Sequence, residues 1–162
     1  MDRRSVDRQH CRRRCGGRRI PGASAKVLSL ALPGKQLHLF DTFVGLPDRT
    51  EAHSQGEFPC SMESVQSYLP TAKLYRGLFP QETGDLVGAT RFGFVHLDMD
   101  IYEGTRDALS FFFERLSPGG IVMTHDYNAL VGPTKAFQDF FSARPDPLVE
   151  LSGNQCLAVK VG

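Results

Sequence analysis

The sequence predicts an α/β fold, a mainly parallel twisted sheet with helices on both faces and a C-terminal β-hairpin. Three observations carry that expectation. The stretch FGFVHLDMDIYEGTRDALSFFFERLSPGGIVMTHDYN, residues 92–128, reads strand, helix, strand, and both strands run out into acidic or imidazole side chains. Short apolar runs alternate with helical patterns from residue 25 onward. Two final apolar runs, Leu148 to Leu151 and Gln155 to Val161, flank the turn Ser152-Gly153-Asn154 and read as a hairpin. A right-handed crossover sets the carboxyl ends of parallel strands on one edge, where open α/β sheets hold their ligands.

Each element has its own local reason. Ala25 to Leu32 reads as a helix stopped by Pro33-Gly34, with Val27, Leu28, Leu30, Ala31 and Leu32 forming its apolar face. Leu37 to Phe40 is a short strand ending at Asp41, and residues 48–60, with His53 and Glu57, form a polar loop that could serve as a lid. Ser61 caps a helix reaching Tyr68 or Leu69, Leu74-Tyr75 is a third strand, and Phe94 to Leu97 the central one. Tyr102 to Leu116 is helical, with Ala108, Leu109, Phe112, Phe113 and Leu116 on one face. It ends in the turn Ser117-Pro118-Gly119-Gly120. Ile121 to Met123 follows as a strand, and Thr134 to Ser142 as a helix.

At 162 residues, 41% hydrophobic and 23% charged, the chain suits a single α/β domain over residues 20–162. No apolar run approaches the ~20 residues that cross a bilayer, and no membrane partner is expected. The net charge of +1 conceals an uneven distribution: residues 1–19 hold eight Arg and two Asp. This head is read as disordered or atypical. It lacks the interleaved aromatics of a nucleic-acid platform. His10, Cys11 and Cys15 lack the second pair that a zinc site would use. Reduced thiols in a cytoplasmic protein are the expectation, and a homo-oligomer is compatible with it.

Asp98, Asp100, His125 and Asp126 stand at two strand ends and suit a divalent cation, with Asp98 and Asp126 as first-choice ligands. His125 is either a third ligand or a general base. Asp41 either accepts ribose hydroxyls or caps its own turn. The pair Asp98-x-Asp100 also fits a metal-dependent glycosyltransferase.

DTFVGLPD, LYRGLFPQE, HLDMDIYEGTRDAL, LSPGGIVMTHDY and GNQCLAVK together resemble the macrocin O-methyltransferase family, over residues 22 to 161. The resemblance implies a Rossmann-like class I methyltransferase fold, a seven-stranded sheet with one antiparallel strand. It implies S-adenosylmethionine at Gly22, Ser24, Asp41 and His96. It implies magnesium held by Asp98, His125 and Asp126, which with Asp98 and His125 as catalytic groups would activate a hydroxyl on a small molecule such as a sugar. Members of the family begin with an apolar strand and a glycine-rich loop. Here CRRRCGGRRI stands in that place. The first strand is therefore expected to be missing or degenerate, and a truncated, non-catalytic binding or oligomerisation module is the rival expectation.

Overall fold

The computed structural model describes residues 22–162 in full and, before them, the backbone of residues 5–9, 14–15 and 18–19. The side chains of the head, His10, Cys11 and Cys15 among them, lie outside the described residues. Its chain order is β1 (Ser5–Gln9), β2 (Arg14–Cys15), β3 (Arg18–Arg19), α1 (Ala23–Ala31), β4 (Leu37–Asp41), α2 (Met62–Tyr68) and β5 (Lys73–Arg76). A 3-10 turn (Gly84–Val87), β6 (Phe92–Leu97), α3 (Tyr102–Arg115), β7 (Leu116–Thr124), α4 (Val131–Phe141), β8 (Leu148–Leu151) and β9 (Gln155–Val159) complete it.

Seven strands form one sheet in the order β5-β4-β1-β6-β7-β9-β8. β9 runs antiparallel to both of its neighbours, and the pairs from β5 through β7 are parallel. This is the expected single antiparallel strand, and β8 with β9 is the expected hairpin. β2 and β3 pair separately as a short ribbon.

Period-two alternation sends successive side chains to opposite faces. On β4, Leu37 and Leu39 join Ala25 of α1, Val65 of α2 and Leu69 just after that helix on one face. Phe40 joins Phe92, Phe112, Phe137 and Val122 on the other, under α3 and α4. The predicted apolar stripe is buried, with Ala108, Leu109, Phe112 and Phe113 on α3 and Leu116 opening β7.

Three expectations are corrected. Helix α1 buries Ala25 and packs Leu28 and Leu32, whereas Val27 and Leu30 are 63% and 70% exposed and Ala31 is exposed too. The positions 25, 28 and 32 share one face at 3.6 residues per turn, and 27, 30 and 31 fall on the other. Helix α4 begins at Val131, three residues before Thr134, with Pro133 in its first turn, where its missing N–H costs nothing. Residues 117–120 are strand, not turn: Gly119 N donates to Lys160 O and Lys160 N to Gly120 O.

At the sheet centre, where a missing or degenerate first strand is expected, the degenerate alternative holds. Ser5–Gln9 lies parallel between β4 and β6, with Val6 opposite Leu37 and Arg8 opposite both Leu39 and His96. The strand is thus present as backbone although degenerate in composition, with Val6 the one apolar residue of SVDRQ. Ladder bonds use main-chain N–H and C=O groups that every non-proline residue carries, so an apolar pattern is not required for pairing.

Candidate active site

The site forms where β6 and β7 stop. His125 N, one residue past the end of β7, donates at 2.8 Å to Leu97 O, the last residue of β6, so the two strands end at equal depth. Beyond that step the chain turns sharply. Asp100, Asp126 and Asn128 have φ of 61°, 56° and 62°, the left-handed region that acidic and amide side chains tolerate best. The turn after Asp126 is closed by Ala129 N and Leu130 N donating to Asp126 O, and leads straight into α4.

Asp98, His125 and Asp126 meet there, with one ligand atom of each lying within 4.8 Å of the others. His125 Nδ1 is 3.0 Å from Asp126 Oδ2 and 3.6 Å from Asp98 Oδ1. The hydrogen bond to Asp126, opposed by burial and helped by the charge of Asp98, raises the His125 pKa above its ordinary value. Asp98 is 2% exposed and Asp100 1%, so two acids are buried within three residues. Two carboxylates and an imidazole at this spacing fit a divalent cation with mixed oxygen and nitrogen ligands. The ring has two possible uses. It can ligate through Nδ1, or it can hold its Nδ1 proton against Asp126 and keep Nε2 as a base. Nδ1 is buried, yet the side chain is 30% exposed, so its far edge faces outward.

The remaining predicted residues spread along the same edge. His96 is buried on β6, its ring centroid 6.4 Å from that of His125. Asp41 ends β4, two strands away from β6 in the sheet order. Its Oδ1 accepts from Phe43 N at 2.7 Å, the turn-capping role, and Gly77 N donates to its main-chain oxygen. Asp41 also lines a cavity of about 210 Å³ with Phe40, Leu78, Phe79, Met99 and Ile101. Gly22, at φ 71°, caps α1, and Ser24 lies in that helix's first turn.

Sequence reasoning missed the apolar lining from Leu78, Met99 and Ile101, which has no periodicity to reveal it. It also missed Glu51, whose Oε1 accepts from Val131 N at 2.7 Å across 80 residues of chain.

An open seven-stranded sheet with one antiparallel strand and its polar cluster at the carboxyl edge is the class I methyltransferase fold. The chain belongs to the macrocin O-methyltransferase family: the family described as Macrocin-O-methyltransferase (TylF) matches residues 22–152. Over 65 residues it is 40% identical to the 8-demethyl-8-(2,3-dimethoxy-alpha-L-rhamnosyl)-tetracenomycin-C 4'-O-methyltransferase of Streptomyces olivaceus. That match covers 39% of this chain and 24% of that protein. Among solved structures, the O-methyltransferase NovP superposes with a TM-score of 0.76 at 18% identity, covering 99% of this chain and 73% of that one. The calicheamicin methyltransferase CalS11 gives 0.72 at 20%, covering 96% and 71%. MycE, in complex with Mg, SAH and mycinamycin VI, gives 0.61 at 12%, covering 99% and 45%. The family match sets the glycosyltransferase alternative aside. Among the described residues, no helix is long and apolar enough to cross a membrane.

Proposed function

We propose that this chain is an S-adenosylmethionine-dependent, divalent-metal-assisted O-methyltransferase acting on a sugar hydroxyl of a natural product. The observation that carries the proposal is the Asp98–His125–Asp126 cluster at the ends of neighbouring parallel strands, within a chain of this family. The rhamnosyl 4'-O-methyltransferase relative supports a deoxysugar as the acceptor class.

Asp98 and Asp126 are the carboxylates that would hold the ion. A divalent cation bound there supplies Lewis acidity, which lowers the pKa of a hydroxyl beside it. Asp126 Oδ2, 3.0 Å from His125 Nδ1, fixes the ring so that its outward edge presents Nε2 to take the acceptor proton. We assign Asp41 to the cofactor ribose through the oxygen not engaged by Phe43, and the apolar cavity beside it to the cofactor base. Gly22 and Ser24, at the start of α1, and His96, beneath the cluster, are assigned to the cofactor side.

Calorimetry with S-adenosylhomocysteine tests the cofactor assignment. Binding is expected, and Asp41→Ala should weaken it by about 1–3 kcal/mol. No heat at millimolar ligand would overturn the proposal. Manganese binding followed by electron paramagnetic resonance tests the ion site without turnover: D98N and D126N should abolish it. H125Q should leave manganese affinity within about threefold while turnover of the loaded enzyme collapses by about 10²–10⁴, the usual worth of a general base. Loss of manganese in H125Q would make His125 a ligand instead.

A further inference from the structure

We infer that residues 42–60 form a latched strap over the acceptor side of the site, with the Glu51 carboxylate as the latch on α4. The strap leaves the sheet directly after Asp41, and its tip reaches the helix that follows Asp126. One end is thus joined by the chain to the proposed cofactor half, and the tip is joined by a contact to the proposed metal half. What passes beneath the strap rests on the methyltransferase proposal. The latch itself does not.

The strap is a preformed unit. Leu46 N donates to Glu57 O and Gly56 N to Leu46 O, clamping its two limbs together. A Cβ on Gly45, at φ 100°, would run into the Gly56 carbonyl, so only glycine lets the limbs approach this closely. At the tip, Thr50 N donates to His53 O, and Thr50 Oγ1 accepts from Ala52 N and His53 N. The His53 ring packs edge-on against Phe58 at 4.8 Å. Phe43 and Leu46 are buried and root the strap in the domain. Left-handed residues stand near both ends, Phe43 at φ 60° and Phe58 at φ 68°.

The latch meets a need of α4. That helix has Leu130 at its N-cap position, and Leu130 offers no side-chain hydrogen bond. Glu51 supplies both an acceptor for Val131 N and a negative charge at the positive end of the helix. Both residues are exposed, so the contact can break without opening the core. α4 in turn backs onto the turn after β6. A Cβ on Gly132 would fall 2.9 Å from Asp100 O and 2.7 Å from Tyr102 N. Closing the latch therefore steadies the first turn of α4 against the segment that carries Asp98 and Asp100. Opening it frees the strap tip for acceptor entry.

The test compares the full-length wild type, E51A and E51Q. Hydrogen exchange reads the Val131 amide, and limited trypsin digestion reads the Arg49–Thr50 bond inside the strap. In E51A both should speed up about tenfold, and in E51Q, which keeps an acceptor oxygen, by no more than about threefold. With methyl α-L-rhamnopyranoside as acceptor, E51A should raise KM about tenfold with kcat little changed, and E51Q should restore it. Equal exchange and cleavage in E51A and wild type would overturn the latch. Faster opening with an unchanged KM would overturn its role over the acceptor. Faster opening in an enzyme with no turnover would support the latch and count against the methyltransferase proposal alone.

Discussion

His38 shows how one residue can set an acid limit on this fold. It is 3% exposed, its Nδ1 lies 2.9 Å from the Tyr75 hydroxyl, and its ring stacks on Tyr75 and meets Phe92 edge-on. Burial first, and the nearby Lys73 second, lower its pKa from 6.5 to about 4. Between those values the unfolded chain binds a proton that the folded chain refuses, so stability falls as pH drops through the interval. The loss is up to roughly 3 kcal/mol. Urea melts at pH 7 and pH 4.5 should show this fall in the wild type and a shallower one in His38→Asn, which removes the titrating ring. Equal pH dependence in the two proteins would refute the assignment. None of this was legible in Leu37-His38-Leu39-Phe40, which reads only as a strand. The partner that makes the imidazole a buried neutral group stands on β5. The reverse holds for Asp98, His125 and Asp126, where two strand ends announce the cluster and only its spacing depends on the folded geometry.

Among the elements, legibility followed the strength of the periodic signal. α3 was readable because its apolar stripe repeats over fourteen residues. α1 was not, since its nine residues are apolar on both sides and only packing on β4 and α2 selects Ala25 over Leu30. The start of α4 was hidden for another reason: its cap comes from Glu51, far away in sequence. The same helix carries a sharp steric prediction. In Gly132→Ala the new methyl would meet main-chain atoms of Asp100 and Tyr102, which cannot rotate aside as a side chain could. We expect a loss of about 1–3 kcal/mol, the range for overpacked contacts, and weaker manganese binding as the turn after β6 shifts. Thermal melts and manganese titration of the same variant check both. Stability lost with unaltered manganese affinity would mean that α4 does not position the cluster.

For the whole molecule, the larger core lies under α3 and α4 and centres on Phe112, which is fully buried. Its ring lies 4.5 Å from that of Phe79, 5.2 Å from Phe92 and Phe111, and 6.0 Å from Phe40. Phe112→Ala should cost about 3–5 kcal/mol, because the four surrounding rings come from other elements or the same rigid helix and cannot all collapse into the void. Calorimetric unfolding would measure it, and a loss below about 1 kcal/mol would show that another contact sets the stability of this layer. The alternation of strands and helices made this architecture readable from the chain. The central strand was not, because SVDRQ contributes by its main chain and hydrophobic patterning is silent about that.

That strand has a consequence for geometry. β4 and β6 do not touch in the ladder, and each bonds to Ser5–Gln9 instead. Asp41 lies on one side of this seam and Asp98 on the other. The separation between the two strands is then fixed at two ladder steps, about 9.6 Å, by five residues acting as a gauge block. A slip of one residue on one side only would slide the halves past each other by about 3.3 Å, more than the proposed methyl transfer between bound partners could absorb.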